Sequence, residues 1–353
     1  MSISGSSLPH NDRKRTIILF LVLTMIFLMF VISDLMIGPV NIPLNKIFGI
    51  IFGNTSSNDS WKTIISDFRV PKTLTAILAG TALSISGLQM QTVFRNPLAG
   101  PDVLGISAGA SLGVALVMLG FGDFFITRNL NYLGSWTQIA AACTGACFVL
   151  ILVLLVSVRI RDILTILIMG ILFGSAASAI VNILQYFSNQ SVLKVFMVWS
   201  MGSLASLSAI QLRVMAVCVG VGIALTFFTV KMMDVLMLGE NYSKSMGINI
   251  NFARVIIFLS TSILSGSVTA FCGPIGFIGI AVPHLARFMF RTSRNKILIP
   301  ASMLLGSVVL LLADMVSQLP GSGTILPVNT VTALLGIPVV VWVVVQNRKV
   351  ANV

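Results

Sequence analysis

Ten apolar runs, most of them long enough to cross a bilayer and separated by short polar turns, follow one another along this chain, and they restrict its fold more than any other feature does. A bilayer core requires about 20 consecutive apolar residues per crossing helix, and inside it every backbone polar group must be satisfied by the structure itself. Charged residues make up 9% of the 353 residues and hydrophobic ones 56%, whereas a soluble domain is roughly 25% charged. The expectation is an all-α polytopic membrane protein of about ten transmembrane helices. Residues 17–345 form a single transmembrane domain in this reading, with tails at 1–16 and 346–353, and too little chain remains for a soluble domain.

The runs are Ile17 to Ile37, Leu74 to Phe94, Val103 to Leu119, Trp136 to Val158, Leu164 to Phe187, Leu212 to Val230, Phe252 to Phe271, Ile275 to Phe290, Ile297 to Leu319 and Leu326 to Val345. The first is too long for a signal-peptide core and is read as a retained span. Asn41 to Phe52 is too short to cross and is expected at the outer interface, followed by a polar loop from Gly53 to Asp67. Asn189 to Gln211 reads as a short outer-surface helix. Lys231 to Asn251 is a cytoplasmic segment of unusual length holding Glu240, the only glutamate.

With ten crossings both termini lie in the cytoplasm. Fifteen of the 22 basic residues then fall in cytoplasmic segments, the asymmetry that orients membrane helices. The net charge of +12 is thus a topology signal, and nucleic acid is not an expected partner. Cys143, Cys147, Cys218 and Cys272 all sit in apolar runs without a CxxC pair, and read as small packing residues.

No Gly-Lys-Ser or Gly-Lys-Thr occurs, so no phosphate-binding loop is present. His10 and His284 are far apart and no paired carboxylates or HExxH motif exist. Neither a catalytic nor a metal site is expected, and no cofactor on this chain. His284 reads as a packed or hydrogen-bonded side chain. Ala76, Gly80 and Ser84, and then Gly105, Gly109 and Gly113, place small residues on one helix face and read as packing stripes. Arg95, Asn96 and Pro97 read as a structural turn, and Gly273 with Pro274 as the joint between the seventh and eighth spans. The fifth span carries Gly170, Gly174, Ser178, Asn182 and Gln185. Polar groups facing lipid are costly, so this helix is expected to line a pathway.

The run RVPKTLTAILAGTALSISGLQMQTVFRNPLAGPDVLGISAGASLG from Arg69 to Gly113 resembles the signature of the FecCD family, the permease subunits of ABC importers for iron siderophores, haem and cobalamin. LGENYSKSMGI at Leu238 to Ile248, GPIGFIGIAVPHLARF at Gly273 to Phe288, LLAD at Leu311 to Asp314 and VTALLGIPVVVW at Val331 to Trp342 match as well. The resemblance implies a type II ABC importer permease fold with an inverted repeat of spans two to five and seven to ten. It implies a second permease copy or homologous permease, two ATP-binding subunits that carry ATP and Mg, and a substrate-binding protein. It also implies that Arg69 and Lys72 face outward and receive acidic residues of that binding protein, where anchoring at the interface is the alternative reading. Leu238, Gly239, Glu240, Ser245 and Gly247 match the segment that seats in the ATPase. Gln318 and Ile325 stand where relatives often carry arginine and glutamate, which puts that outer contact in question.

The expected function is therefore an importer permease in the bacterial inner membrane, moving an iron-siderophore, haem or cobalamin-type chelate. An ion-coupled secondary transporter is the alternative. That class usually needs intramembrane acids, and only Asp34 and Asp314 lie clearly within spans. A membrane-embedded enzyme is a third reading, with no catalytic constellation to support it.

Overall fold

The computed structural model describes residues 10–38, 40, 42–51, 59–120, 134–160, 162–205, 207–318 and 326–351. Among them the secondary structure is helical throughout: α1 (His10–Met36), α2 (Leu44–Ile51), α3 (Asp59–Thr63), α4 (Val70–Val93), α5 (Ile106–Ala115), α6 (Gly134–Arg159), α7 (Ile163–Tyr186), α8 (Gln190–Ser200), α9 (Ala209–Leu236), α10 (Glu240–Ser245), α11 (Ile250–Cys272), α12 (Ile278–Phe290), α13 (Asn295–Ser317) and α14 (Val328–Ala351). Seven helical stretches are long and apolar enough to cross a membrane, and three shorter apolar ones, Ile106–Gly120, Ile278–Phe290 and Val328–Val343, complete the ten expected.

Two helices form the centre. The apolar window of α4 is 83% buried and that of α11 is 78% buried, against 6% for α1. They touch each other, and α9 packs on both. Around them the two halves interlock reciprocally: α4 packs on α12 and α13, while α11 packs on α5 and α6. In each half the last helix leans on the second, α7 on α5 and α14 on α12. Spans two to five and seven to ten thus repeat one packing pattern, as the inverted repeat requires.

Small residues permit this interlocking. Gly80 of α4 faces the Gly306 carbonyl of α13, and Gly306 in turn faces the Gly80 carbonyl, so neither site has room for a Cβ. Backbones approach at that distance only where side chains are absent. Gly109 and Gly145 form the equivalent pair between α5 and α6.

Each half also breaks at the same place, between its first and second span. After α4 the chain turns through Arg95 (φ 46), Pro97 and a short 3-10 helix, Pro101–Leu104. After α11 it turns through Gly273 (φ 76), Pro274 and Phe277 (φ 68). Irregular backbone lacks the helical hydrogen-bond ladder, and its polar groups need other partners. The Asn96 side chain accepts from Leu98 N at 2.9 Å, and His284 Nε2 lies 2.6 Å from the Pro97 carbonyl. A carbonyl only accepts, so Nε2 carries the proton, and His284 is a hydrogen-bonded side chain as expected.

Several boundaries differ from the expectation. The second span does not start at Leu74. A π-helix, Ile64–Arg69, runs straight into α4, so that helix begins at Asp59 and absorbs the end of the expected polar loop. Arg69 and Lys72 therefore lie within a helix, not ahead of it. Gly105 is not a helical packing glycine: it adopts φ 73 as the left-handed joint between the 3-10 helix and α5. Its i, i+4 spacing to Gly109 imitates a stripe, but Pro101 has already closed a different turn. The helix after Gly273 and Pro274 begins at Ile278, not Ile275. Residues 10–16 continue α1, and α14 runs on to Ala351, so both expected tails are partly helical. Cys143 and Cys147 are exposed, not packed.

Candidate functional site

The bundle has two ends with different chemistry. At one end meet the C-terminus of α1, the N-terminal part of α4, the C-terminus of α13 and the start of α14. A cavity of about 590 Å³ opens there, lined by Phe68, Lys72, Met201, Ser203, Gln318 and Pro327 among others.

Its floor is charged. Lys72 Nζ lies 2.7 Å from Asp314 Oδ2, with the two side chains only 11% and 4% exposed. Gln318 Nε2 donates to the same Oδ2 at 2.9 Å. Asp34, fully buried in α1, accepts from the Thr73 hydroxyl at 2.5 Å. Its carboxyl faces that of Asp314 and feels the charges of Lys72 and Arg69. Asp34 Oδ1 has no hydrogen-bond partner. Arg69 is buried as well: Nη1 donates to the carbonyls of Leu35 at 2.8 Å and Met36 at 3.0 Å, and Nη2 donates to the Val40 carbonyl. The C-terminal carbonyls of α1 lack intrahelical donors, and the guanidinium supplies them.

Two acids and two bases thus form a formally neutral quartet. The outward-facing basic pair of the sequence reading is corrected in its geometry: Arg69 is buried against backbone carbonyls, and Lys72 is paired with Asp314 at the cavity floor. An ion pair in low dielectric holds only when its charges are matched and hydrogen-bonded, and Asp314 meets that condition for Lys72. Ile325 lies outside the described residues, and Gln318 is turned toward Asp314.

At the opposite end lies the segment between α9 and α11. The expected long loop is shorter, because α9 continues to Leu236. Gly239 (φ 110) and Gly247 (φ 77) bracket the six-residue α10. The Ser243 hydroxyl donates to the carbonyls of Gly239 at 2.7 Å and Val235 at 3.0 Å, folding α10 back on α9. Around it Leu238, Tyr242 and Met246 are exposed, as is Ser245. A cavity of about 490 Å³ beside it is lined by Gln91, Arg95, Pro97, His284, Arg287 and Trp342 among others. Arg287 Nη1 donates to Gln91 Oε1, tying α12 to α4.

The pathway candidates separate into two sets. Gly170 and Gly174 are buried against Val103, Leu104 and Gly105, so they are contact points with no free surface, a correction of their expected role. Ser178 and Asn182 lie on the exposed side of α7, and Gln185 is half-buried. The sequence reading missed a buried knot in the centre of the bundle. Gln89 donates to Thr226 at 3.0 Å and Ser260 at 2.9 Å, and accepts from Thr261 at 2.7 Å. A glutamine in an apolar run was the available signal, since an unsatisfied buried amide is costly.

Among the described residues no group of three or more His, Cys, Asp or Glu side chains is arranged to hold a metal. The family model for the FecCD transport family matches residues 23–346. The chain belongs to the FecCD transport family. It is 35% identical over 287 residues to the vitamin B12 import system permease protein BtuC of Vibrio cholerae, covering 81% of this chain and 83% of that relative. It is 31% identical over 324 residues to the hemin transport system permease protein HmuU of Yersinia pestis, covering 92% and 95%. Among solved structures it superposes on a metal-chelate type ABC transporter in an inward-facing conformation with a TM-score of 0.79, at 26% identity over 93% of this chain and 99% of that one. This FecCD member is a multi-pass permease of the ABC importer type. The secondary-transporter alternative finds no support, and the intramembrane acids it needed, Asp34 and Asp314, are engaged within the quartet.

Proposed function

We propose that this chain is the permease of an importer for a metal-chelate, haem or cobalamin-type ligand in a bacterial inner membrane, with both termini in the cytoplasm. The observation that carries the reading is the reciprocal packing of the two halves in a chain that the FecCD model spans from residue 23 to 346. Two copies, or one copy and a homologous permease, enclose the path between them. Two ATPase subunits, which hold ATP and Mg, sit below, and a substrate-binding protein sits above.

In this reading the end holding Lys72 and Asp314 is external and receives the binding protein, with Lys72 as its charged contact and Arg69 holding the surrounding frame. The opposite end, with Leu238, Gly239, Glu240, Ser245 and Gly247, seats in the ATPase. Exposed Leu238, Tyr242 and Met246 supply the apolar contact that a coupling surface needs. The Gly239 and Gly247 turns allow α10 to swing as a unit between α9 and α11. Ser178, Asn182 and Gln185 line the path, offering polar groups without fixed charge, so ligand choice rests largely with the binding protein.

The test is ATP hydrolysis and ligand uptake by the assembled complex in proteoliposomes. Hydrolysis is expected to rise when ligand-loaded binding protein is added, and uptake to require the ATPase subunits. Uptake by the permease alone would sink the reading.

A further inference from the structure

The quartet beneath the outer cavity assigns a specific task to Asp314. We propose that Asp314 is an internal counter-ion that occupies Lys72 in the resting permease and yields it to a carboxylate of the docking binding protein. This rests on the docking role given to Lys72 above and adds how that role is regulated.

The argument begins with burial. A lysine waiting in an apolar cavity without a counter-charge would be strongly penalised, and in a chain with 10 acidic residues two are placed at this one spot. Lys72 keeps 11% of its side-chain surface open and lines the cavity, while Asp314 below it is 4% exposed. Lys72 and Asp314 both line this cavity, so it is the side from which an incoming carboxylate would approach Nζ.

Asp314 has a second donor ready. Gln318 Nε2 already sits 2.9 Å from Oδ2, so the carboxylate remains hydrogen-bonded when Lys72 turns outward. Asp34 beside it keeps its Thr73 bond at 2.5 Å. The movement therefore exchanges one lysine–carboxylate pair for another. Such an exchange adds little net affinity, because the desolvation of Lys72 has already been offset by Asp314. It suits a binding protein that must dock selectively and leave after each cycle, since charge pairs set orientation and selectivity more than they set affinity.

Arg69 is not exchanged in the same way. Its donors are committed to the α1 carbonyls of Leu35 and Met36 and to the Val40 carbonyl just beyond that helix, so it holds the frame within which Lys72 moves.

The experiment uses the complete permease–ATPase complex in nanodiscs and two probes. One is the binding protein that stimulates hydrolysis in the assay above. The other is a membrane-impermeant N-hydroxysuccinimide ester, with acylation of Lys72 followed by peptide mass spectrometry. Asp314→Asn is expected to raise Lys72 acylation several-fold and to tighten docking at low salt by about fivefold to tenfold. In a Lys72→Ala background the same change is expected to leave docking unaltered. Weaker docking by Lys72→Ala, together with no gain from Asp314→Asn, overturns the counter-ion role and leaves docking intact. Unchanged docking by Lys72→Ala overturns the docking role itself. Should Asp314→Asn not fold, Gln318→Arg gives Asp314 a bidentate partner from the partly exposed end of α13, and increased Lys72 acylation is again expected. No increase there overturns the proposal.

Discussion

Lys72 on α4 and Asp314 on α13 meet at 2.7 Å at the floor of the cavity beside Phe68 and Pro327, joining two helices from opposite halves of the inverted repeat. The contact lies at one end of the same interface that Gly80 and Gly306 bring close further along. Charge thus fastens the end of a helix pair whose middle is held by dispersion and backbone proximity. A third element, α1, joins through Asp34 and through the Leu35 and Met36 carbonyls that Arg69 caps. With only 6% of its apolar window buried, α1 depends on these polar bonds for the position of its C-terminal end.

Removing one member of the pair is expected to be costly. Lys72→Met leaves Asp34 and Asp314 facing each other with Arg69 as the remaining cation of the quartet, and breaking a buried pair on one side costs about 3–5 kcal/mol. The double variant Lys72→Met with Asp314→Leu is expected to recover most of that loss. Thermal unfolding of the detergent-solubilised protein, arranged as a double-mutant cycle, measures the coupling. Additive losses would show that the two side chains do not support each other.

Gln89 gives a prediction of a different kind. Its amide satisfies hydroxyls on two other helices, α9 and α11. Gln89→Leu removes the hub, leaves Thr226 and Ser260 with each other and takes from Thr261 its bond to the amide oxygen. Thr226 and Ser260 retain bonds to the Gly222 carbonyl at 2.8 and 2.9 Å, so the expected loss is limited to about 1–3 kcal/mol. Assembly with the ATPase subunits is expected to survive. Size-exclusion profiles and unfolding midpoints report both.

The helices and their order were legible because lipid imposes one crude rule, and runs such as Ile297 to Leu319 obey it without reference to any other part of the chain. The errors fell where a residue's partner is remote in sequence. Arg69 and Lys72 were expected to face outward because the family resemblance implied a docking pair there, with interfacial anchoring as the alternative. The π-helix that draws them inside is set by contacts with α1 and α2, and Asp34 and Asp314 come from the two ends of the chain. One signal was present: two acids within spans each require a cation, and few bases are near enough. Gly170 and Gly174 were misassigned for the related reason that glycine in a span serves close packing and an open path equally well. Only the position of Val103 to Gly105 decides between them.

Asp162 offers a pH-dependent outcome outside the membrane. It caps α7, accepting from Thr165 N at 2.9 Å and from the Thr165 hydroxyl at 2.5 Å. These bonds favour the carboxylate and hold its pKa below the usual carboxylate range. A depressed pKa means that the cap contributes at pH values above the unfolded-state pKa, and that its contribution is lost as pH falls through the lower folded-state value. Hydrogen exchange at Leu164 and Thr165, corrected for intrinsic rates, is expected to accelerate as acid protonates the cap. Asp162→Asn is expected to remove that pH dependence while retaining part of the cap. Identical pH profiles for the two proteins would contradict it.

Gly80 and Gly247 are both replaceable by alanine on paper, and they are expected to fail differently. At Gly80 the added Cβ meets the Gly306 carbonyl and the two helices must separate. Overpacking of this sort costs about 1–3 kcal/mol, so Gly80→Ala lowers the unfolding midpoint of the whole protein. At Gly247 nothing lies within 4 Å of the added atom, but φ is +77. An L-residue held left-handed there costs about 1–2 kcal/mol, and the turn after α10 can relax at the expense of its geometry. Gly247→Ala is therefore expected to leave the midpoint and binding-protein docking unchanged while reducing ligand transported per ATP hydrolysed. The pairing of the two variants separates packing from coupling. A lowered midpoint for Gly247→Ala, or full transport per ATP, would remove the coupling role from the turn.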